Sequence, residues 1–318
     1  MSDHSIADSP ELRPAPTRRG VHDRLMQLAA VRDNGFRPGR TLRVSVEFAR
    51  QLRRRRTQLA GLVLLVLPVV IALAFRVSSS TGSGGGGQGA SGSGSGSALV
   101  SLATSGATNF ALFTEFAAAG FLLVVVVALF CGDTVASEAS WSSLRYLLAI
   151  PVPRARLLRQ KLFVALSLSF GANLLLPTWS YLVGGISFGW APGQSPLGGT
   201  FTTGVALQRL GVVVAYACIQ SLLVAALAFL LSVLTDAPLG AVGGATMLVV
   251  VSNILDSITA LDPYRVLLPT HFQYSWLDAL GQHIVWDDML RGTGVALVYS
   301  AVFFALAWSR FQRKDIVS

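Results

Sequence analysis

Charge is scarce in this chain. Only 13% of its 318 residues are charged, against about 25% in an average soluble domain, while 52% are hydrophobic and the mean hydropathy is +0.58. A soluble globular fold for the whole chain is thereby excluded, and an all-α polytopic membrane protein is expected. Cysteine is nearly absent too. Cys131 and Cys218 both lie in or beside apolar runs, so neither a disulfide framework nor a Cys/His zinc spacing can be drawn. Lysine occurs only at 161 and 314, the other 23 cations being arginine, and with abundant Ala, Gly, Val and Leu this is the usage of a GC-rich bacterial genome. No Gly-Lys-Ser/Thr follows any glycine run, which removes a nucleotide loop. No Ser/His/Asp set and no paired catalytic carboxylates can be assembled, so the chain is expected to be no enzyme and to hold no cofactor or metal of its own. His283 and Asp287 stand at i,i+4 with His271 and Asp288 nearby, but two ligands on an exposed helix are too few for a metal site.

What is present is six apolar runs, at 58–75, 110–131, 162–183, 210–234, 239–255 and 293–308. Each is close to the roughly 17–25 residues that cross a bilayer as a helix. Pro68 in the first run and Asn173 and Pro177 in the third predict kinks there. The first run starts near Gln58, too late for the apolar part of a cleavable signal peptide, so none is expected. With the N-terminus cytoplasmic, 13 cations precede the first run, five lie between the second and third, and three follow the last. That places 21 of 25 inside and leaves Arg76, Arg209, Arg265 and Arg291 outside, an asymmetry that puts both termini in the cytoplasm and the chain in the plasma membrane. It also explains the net charge of +9 through membrane lipid rather than nucleic acid, because the cations flank the runs without aromatic interleaving.

Residues 1–39 carry Pro, Asp, Ser and Arg without apolar period and are expected to be a disordered cytoplasmic tail ahead of a membrane domain over 40–318. The stretch TLRVSVEFARQLRRRR, 41–56, predicts a short helix on the cytoplasmic leaflet, its arginines meeting lipid phosphate. Leu42, Val46, Ala49 and Arg53 fall near one face and Val44, Phe48 and Leu52 on an adjoining one; a plain basic flank is the alternative. On the outer side, 78–97 contains only Ser, Gly, Thr, Gln and Ala and is expected to be a flexible coil. A second outer loop, 184–208, is rich in Gly and Pro. In a third, 259–292, Tyr274, Trp276, Leu277, Leu280, Ile284, Val285 and Trp286 recur at near-helical spacing and predict a helix lying in the outer interface or dipping back into it. Asp256 and Asp262, at the outer end of the fifth run, are expected to be solvated.

The stretch from Gly132 to Lys161, GDTVASEASWSSLRYLLAIPVPRARLLRQK, stands apart. A connection has no need of 30 residues with five cations, two carboxylates and spaced Leu and Trp. Gly132-Asp133, Glu138, Ser143-Leu144-Arg145, Leu147-Leu148, Pro151-Val152-Pro153-Arg154 and Lys161, taken with the six runs and the amphipathic N-terminal stretch, resemble the type-2 ABC exporter permeases over about 40–312. Where that family has Gly-Thr/Ser-Leu-Arg, this chain has Ser142-Ser143-Leu144-Arg145, with Trp141 added. The resemblance implies a six-helix permease subunit that pairs with a second copy or a related chain. It also implies that Gly132, Asp133, Glu138, Ser143, Leu144, Arg145, Leu148, Pro151, Val152, Arg154 and Lys161 couple it to a cytosolic ABC ATPase, with ATP bound on that partner. Between Val135 and Ile150, Leu144, Leu147 and Leu148 can form an apolar stripe, and Pro151 ends the helix.

Glu115, about five residues into the second run, is a candidate for the transport path. Snorkelling outward, or pairing with a cation such as Arg209 at similar depth, are the alternatives. Two further function classes stay open beside the exporter: a secondary transporter or channel that needs no ATPase, which would carry intramembrane ion or proton ligands, and a membrane enzyme or scaffold, for which no catalytic constellation exists.

Overall fold

A computed structural model describes residues 44–81, 101–140, 154–195, 199–281 and 283–313, with side-chain surroundings for all of these except 79–81, 138–140 and 154. The chain is mostly helical, as apolar runs in hydrocarbon must be to satisfy their own backbone N–H and C=O groups. In order come α1 (Val44–Leu52), α2 (Arg55–Thr81), α3 (Ala107–Ala119), α4 (Leu122–Ser140) and α5 (Arg154–Phe188). They are followed by β1 (Gly193–Gln194), β2 (Thr200–Phe201), α6 (Thr203–Leu234), α7 (Pro238–Asp256) and α8 (Asp287–Arg313). The two strands form one small antiparallel ribbon with Gly193 opposite Phe201 and Gln194 opposite Thr200.

Five helices, α2, α5, α6, α7 and α8, are long and apolar enough to cross a membrane. The helices at the centre are α6, with 50% of its apolar window inside the protein, and α5, with 44%; for α2, α7 and α8 the share is 22%. Around α6 pack α8, α4, α7 and α5, while α2 packs mainly on α5. Alanine fills the crossings: Ala128, Ala165, Ala226, Ala228, Ala245 and Ala296 are all at 1% exposure or less. Small side chains let backbones approach closely, which is where helix association in lipid finds its energy. Outward, Leu59, Leu62, Val66, Val70 and Leu73 on α2 and Leu297, Val298 and Val302 on α8 are exposed, in keeping with lipid-facing surfaces.

Several expectations are corrected. The run 110–131 is not one helix: α3 and the start of α4 are bent by 60° at Gly120–Phe121. Tyr274 holds this break open, since a Cβ on Gly120 would lie 2.7 Å from its hydroxyl, and Gln273 Nε2 donates to the freed Ala119 carbonyl at 2.7 Å. Helix also continues past Cys131, the expected end of that run, to Ser140, so Gly132 and Asp133 belong to α4. Helices α2 and α5 each continue through their proline, Pro68 and Pro177. Near Pro68, the Leu65 carbonyl accepts from Trp179 Nε1 on α5 at 2.9 Å, which ties α2 to α5.

The expected interfacial helix at 274–286 is instead a chain of short 3-10 turns, Thr259–Leu261, Tyr264–Leu267 and Ser275–Leu280, with α8 beginning at Asp287. Trp276, Ala279 and Leu280 turn inward against Val213, Tyr216 and Met289, and it is this packing that sets the apolar spacing. Asp262 is solvated as expected, 63% exposed with Arg265 at 3.5 Å, whereas Asp256 is half-buried and meets His271 Nδ1 at 2.5 Å and Arg265 at 3.6 Å. The outer coil begins later than expected because α2 runs on through Thr81. The second loop is shorter than 184–208, since α5 reaches Phe188 and α6 starts at Thr203. The tail, the rest of the Gly/Ser stretch and positions 141–153 lie outside the described residues.

Candidate functional site

Two places concentrate polar groups inside this apolar body. The first is a clamp at the α1 end. Helix α1 is amphipathic in an inverted sense: Gln51 is buried and Glu47 nearly so, while Val44, Val46 and Leu52 face outward at 42%, 63% and 44% exposure. The polar side grips the protein. Glu47 accepts from Arg50 at 2.9 Å and from Gln51 at 3.3 Å, and lies 3.7 Å from the buried Lys161 ammonium on α5. Just beyond α1, Arg54 and Arg56 both reach Asp133 on α4, at 2.8 Å and 2.7 Å, so at least these two arginines are held by the protein rather than by lipid phosphate. A carboxylate accepting from two guanidinium groups in a half-dry site is a strong arrangement, with each bond charge-assisted.

Behind the clamp, α4 is locally rewired. Thr134 Oγ1 donates to the Cys131 carbonyl, Ser137 Oγ donates to the Asp133 carbonyl at 2.5 Å, and the Val135 and Ala136 N–H groups both point to Ser232 Oγ on α6 at 3.0 Å. Gly132 lets α7 close in, since a Cβ there would sit 3.1 Å from Val242. Among the expected coupling residues, Gly132, Asp133 and Lys161 are thus committed to contacts within the chain. Ser143, Leu144, Arg145, Leu148, Pro151 and Val152 lie outside the described residues, as do the side chains of Glu138 and Arg154. Glu47, Arg54, Arg56 and Ser232 had no signature in the sequence: a lone Glu in a basic stretch and a Ser in an apolar run look unremarkable until the fold brings their partners to them.

The second place is a chamber of about 50 Å³ where α3, α4, α5, α6, α7 and the segment 269–276 meet. Glu115, Asn173, Gln220, Ser221, Thr270 and Gln273 supply its polar wall, with Val127, Leu223 and Trp276 among the apolar ones. Glu115 is fully buried and neither of its oxygens has a hydrogen-bond partner. Both alternatives for this residue are therefore corrected: it does not snorkel, and it does not pair with Arg209. That guanidinium is drawn to the Ala279 carbonyl at 2.7 Å, to the Gly281 carbonyl, and over the Phe201 ring at 4.0 Å. Most of the chamber's donors are spent on other groups. Asn173 donates to the Ser169 carbonyl at 2.9 Å, Ser221 to that of Cys218 at 2.8 Å, and Gln220 to Tyr216 Oη at 2.8 Å, which in turn donates to the Phe272 carbonyl at 2.6 Å. Gln273 spends its amide N–H on Ala119, leaving its Oε1 buried without a partner.

Elsewhere, burial pushes the Tyr274 phenol above its ordinary pKa, so it stays protonated where it packs 5.2 Å from the Phe116 ring. Among the described residues no three His, Cys, Asp or Glu side chains gather as a metal site would need. No curated protein matches the sequence. The profile of one family covers residues 97–317, from just before α3 to the end of α8 and beyond, and the chain accordingly belongs to the family described as protein of unknown function, DUF2705.

Proposed function

We propose that this chain is the permease subunit of an ATP-driven exporter, with two copies, or one copy and a related chain, forming the pathway. A cytosolic ABC ATPase docks on the stretch from Gly132 to Lys161 and supplies the ATP hydrolysis that this chain does not. Six passes carry the chain through the plasma membrane, the broken pair α3–α4 counting as one, with both termini and the clamp on the cytoplasmic side, where 21 of 25 cations fall.

The observation that carries this reading is the double attachment of the stretch. Asp133 near its start is held by Arg54 and Arg56, and Lys161 at its end by Glu47, so one short element, α1 with its basic flank, is tied to both ends. A push on either end of the stretch is thereby shared between α4, α5 and α1. Conversion of ATPase closure into helix tilt needs such a lever.

Affinity purification of the tagged chain in mild detergent tests the reading: an ATP-binding subunit is expected to co-purify, and exchange of charge at both Glu138 and Arg145 is expected to release it. Transport by the chain alone in proteoliposomes, with no ATPase present, overturns it. The Glu115 chamber favours one second reading, an ATPase-independent secondary transporter, since a buried carboxylate at a helix break is the arrangement ion-coupled carriers use. An imposed ion gradient driving uptake into those proteoliposomes separates the two.

A further inference from the structure

We propose that the Glu115 chamber is a binding site for one small monovalent cation, either an alkali-metal ion or the ammonium head of a transported amine. The inference stands whether or not an ATPase is attached. It starts from a surplus of acceptors. Glu115 Oε1 and Oε2 and Gln273 Oε1 are buried without partners: Asn173, Gln220 and Gln273 each direct an amide N–H, and Ser221 its hydroxyl, to other groups, and no remaining N–H reaches these three oxygens. A buried acceptor left unsatisfied costs about 1–3 kcal/mol and a buried charge more, so an arrangement with three such oxygens around one cavity is a site awaiting a donor or a cation.

Charge fixes the valence. Glu115 is the sole carboxylate in the chamber wall, and no Arg, Lys or His side chain lines it, so a single positive charge neutralises it. Ligand chemistry narrows the metal: carboxylate, amide and hydroxyl oxygens without imidazole or thiolate suit hard cations and not zinc or copper. Size sets the rest. On this measure a water needs roughly 10–15 Å³, so about 50 Å³ admits an ion with a few waters or an –NH3+ group, and not the body of a larger solute. The place also fits, because the chamber opens beside the break between α3 and α4, and discontinuous helices are where membrane transporters build ion sites.

Trp276, 2% exposed, lines the chamber and serves as a reporter. The full chain in nanodiscs is titrated with NaCl, KCl or methylammonium chloride at constant ionic strength, balanced with N-methylglucamine chloride, and the spectrum of Trp276→Phe is subtracted. A saturable change in Trp276 emission is expected. Alkali ions alone producing it identify a metal-ion site, methylammonium alone an amine-head site, and either supports the proposal. Glu115→Gln is expected to abolish the change, and Glu115→Asp and Gln273→Leu to weaken affinity at least tenfold; the last two keep the test open should the first fail to fold. If only pH moves the emission, Glu115 carries a proton and nothing else, and the proposal is wrong. It is equally wrong if Glu115→Gln titrates like the parent.

Discussion

At the scale of single residues, the clamp is a set of charges whose worth depends on how dry each one is. Asp133 is one-tenth exposed, Arg54 about a quarter and Arg56 more than half, so the Arg56 contact, though slightly shorter, is the more screened by solvent of the two. Asp133→Asn keeps the shape and removes the charge; it is expected to lower stability by about 1–2 kcal/mol. Arg56→Gln should cost a small fraction of that, and thermal unfolding of the detergent-solubilised variants reads the difference. Ser232→Ala acts differently. It takes away a buried side-chain oxygen that the Val135 and Ala136 N–H groups of α4 meet at 3.0 Å, and a loss of about 1 kcal/mol is expected, with Ser232→Thr keeping the acceptor. A result in which Ser232→Ala is neutral would show that α4 simply closes its own ladder.

At the scale of elements, the telling contrast is between a break that the sequence barely marks and prolines that do not end their helices. Pro68 and Pro177 are the sequence's visible breakers, yet α2 and α5 each continue through them, whereas the run 110–131 has only Gly120 to mark a 60° bend. The reason lies 150 residues away. Gln273 and Tyr274 supply the donor and the bulk that hold α3 and α4 apart, and no local pattern around Gly120 reports them. The apolar helices were legible because hydrocarbon leaves the backbone no alternative; the 3-10 turns at 259–280 were not, because Trp276 and Leu280 owe their spacing to contacts with α6 and α8 and not to a helical period. Gly292 shows the same dependence on distant chain. A Cβ there would meet Phe272 Cβ at 2.5 Å and Tyr216 Oη still more closely, so Gly292→Ala is expected to push the 259–280 segment off α8 at a cost of about 1–3 kcal/mol. Faster proteolysis or thiol labelling within that segment would register the displacement.

At the scale of the whole molecule, the charge asymmetry and the clamp make a joint statement about sidedness. A cysteine placed at Gly86 is expected to react with an impermeant thiol reagent in intact cells, and one at Ser142 only after the membrane is opened; the reverse pattern would invert the topology. The proposed coupling surface was the part of the site most visible in the sequence, through its resemblance and its unusual polarity. Its anchors were not, since Glu47 and Lys161 are 114 positions apart and meet only because α1 folds its polar side inward.

Helix α2 gives the body one more property. Most of its flank is exposed, yet it is fastened at three heights: Arg54 and Arg56 to Asp133, the Leu65 carbonyl to Trp179, and Arg76 to the Ile186 and Ser187 carbonyls at 3.3 and 3.0 Å. The outer fastenings are 20 residues apart, about 30 Å along a helix, close to the hydrocarbon thickness of an ordinary bilayer. They act as a ruler. In a membrane several ångströms thinner or thicker, the lipid must deform around α2 or one end must let go, so acyl-chain length alone should tune how firmly the clamp is held.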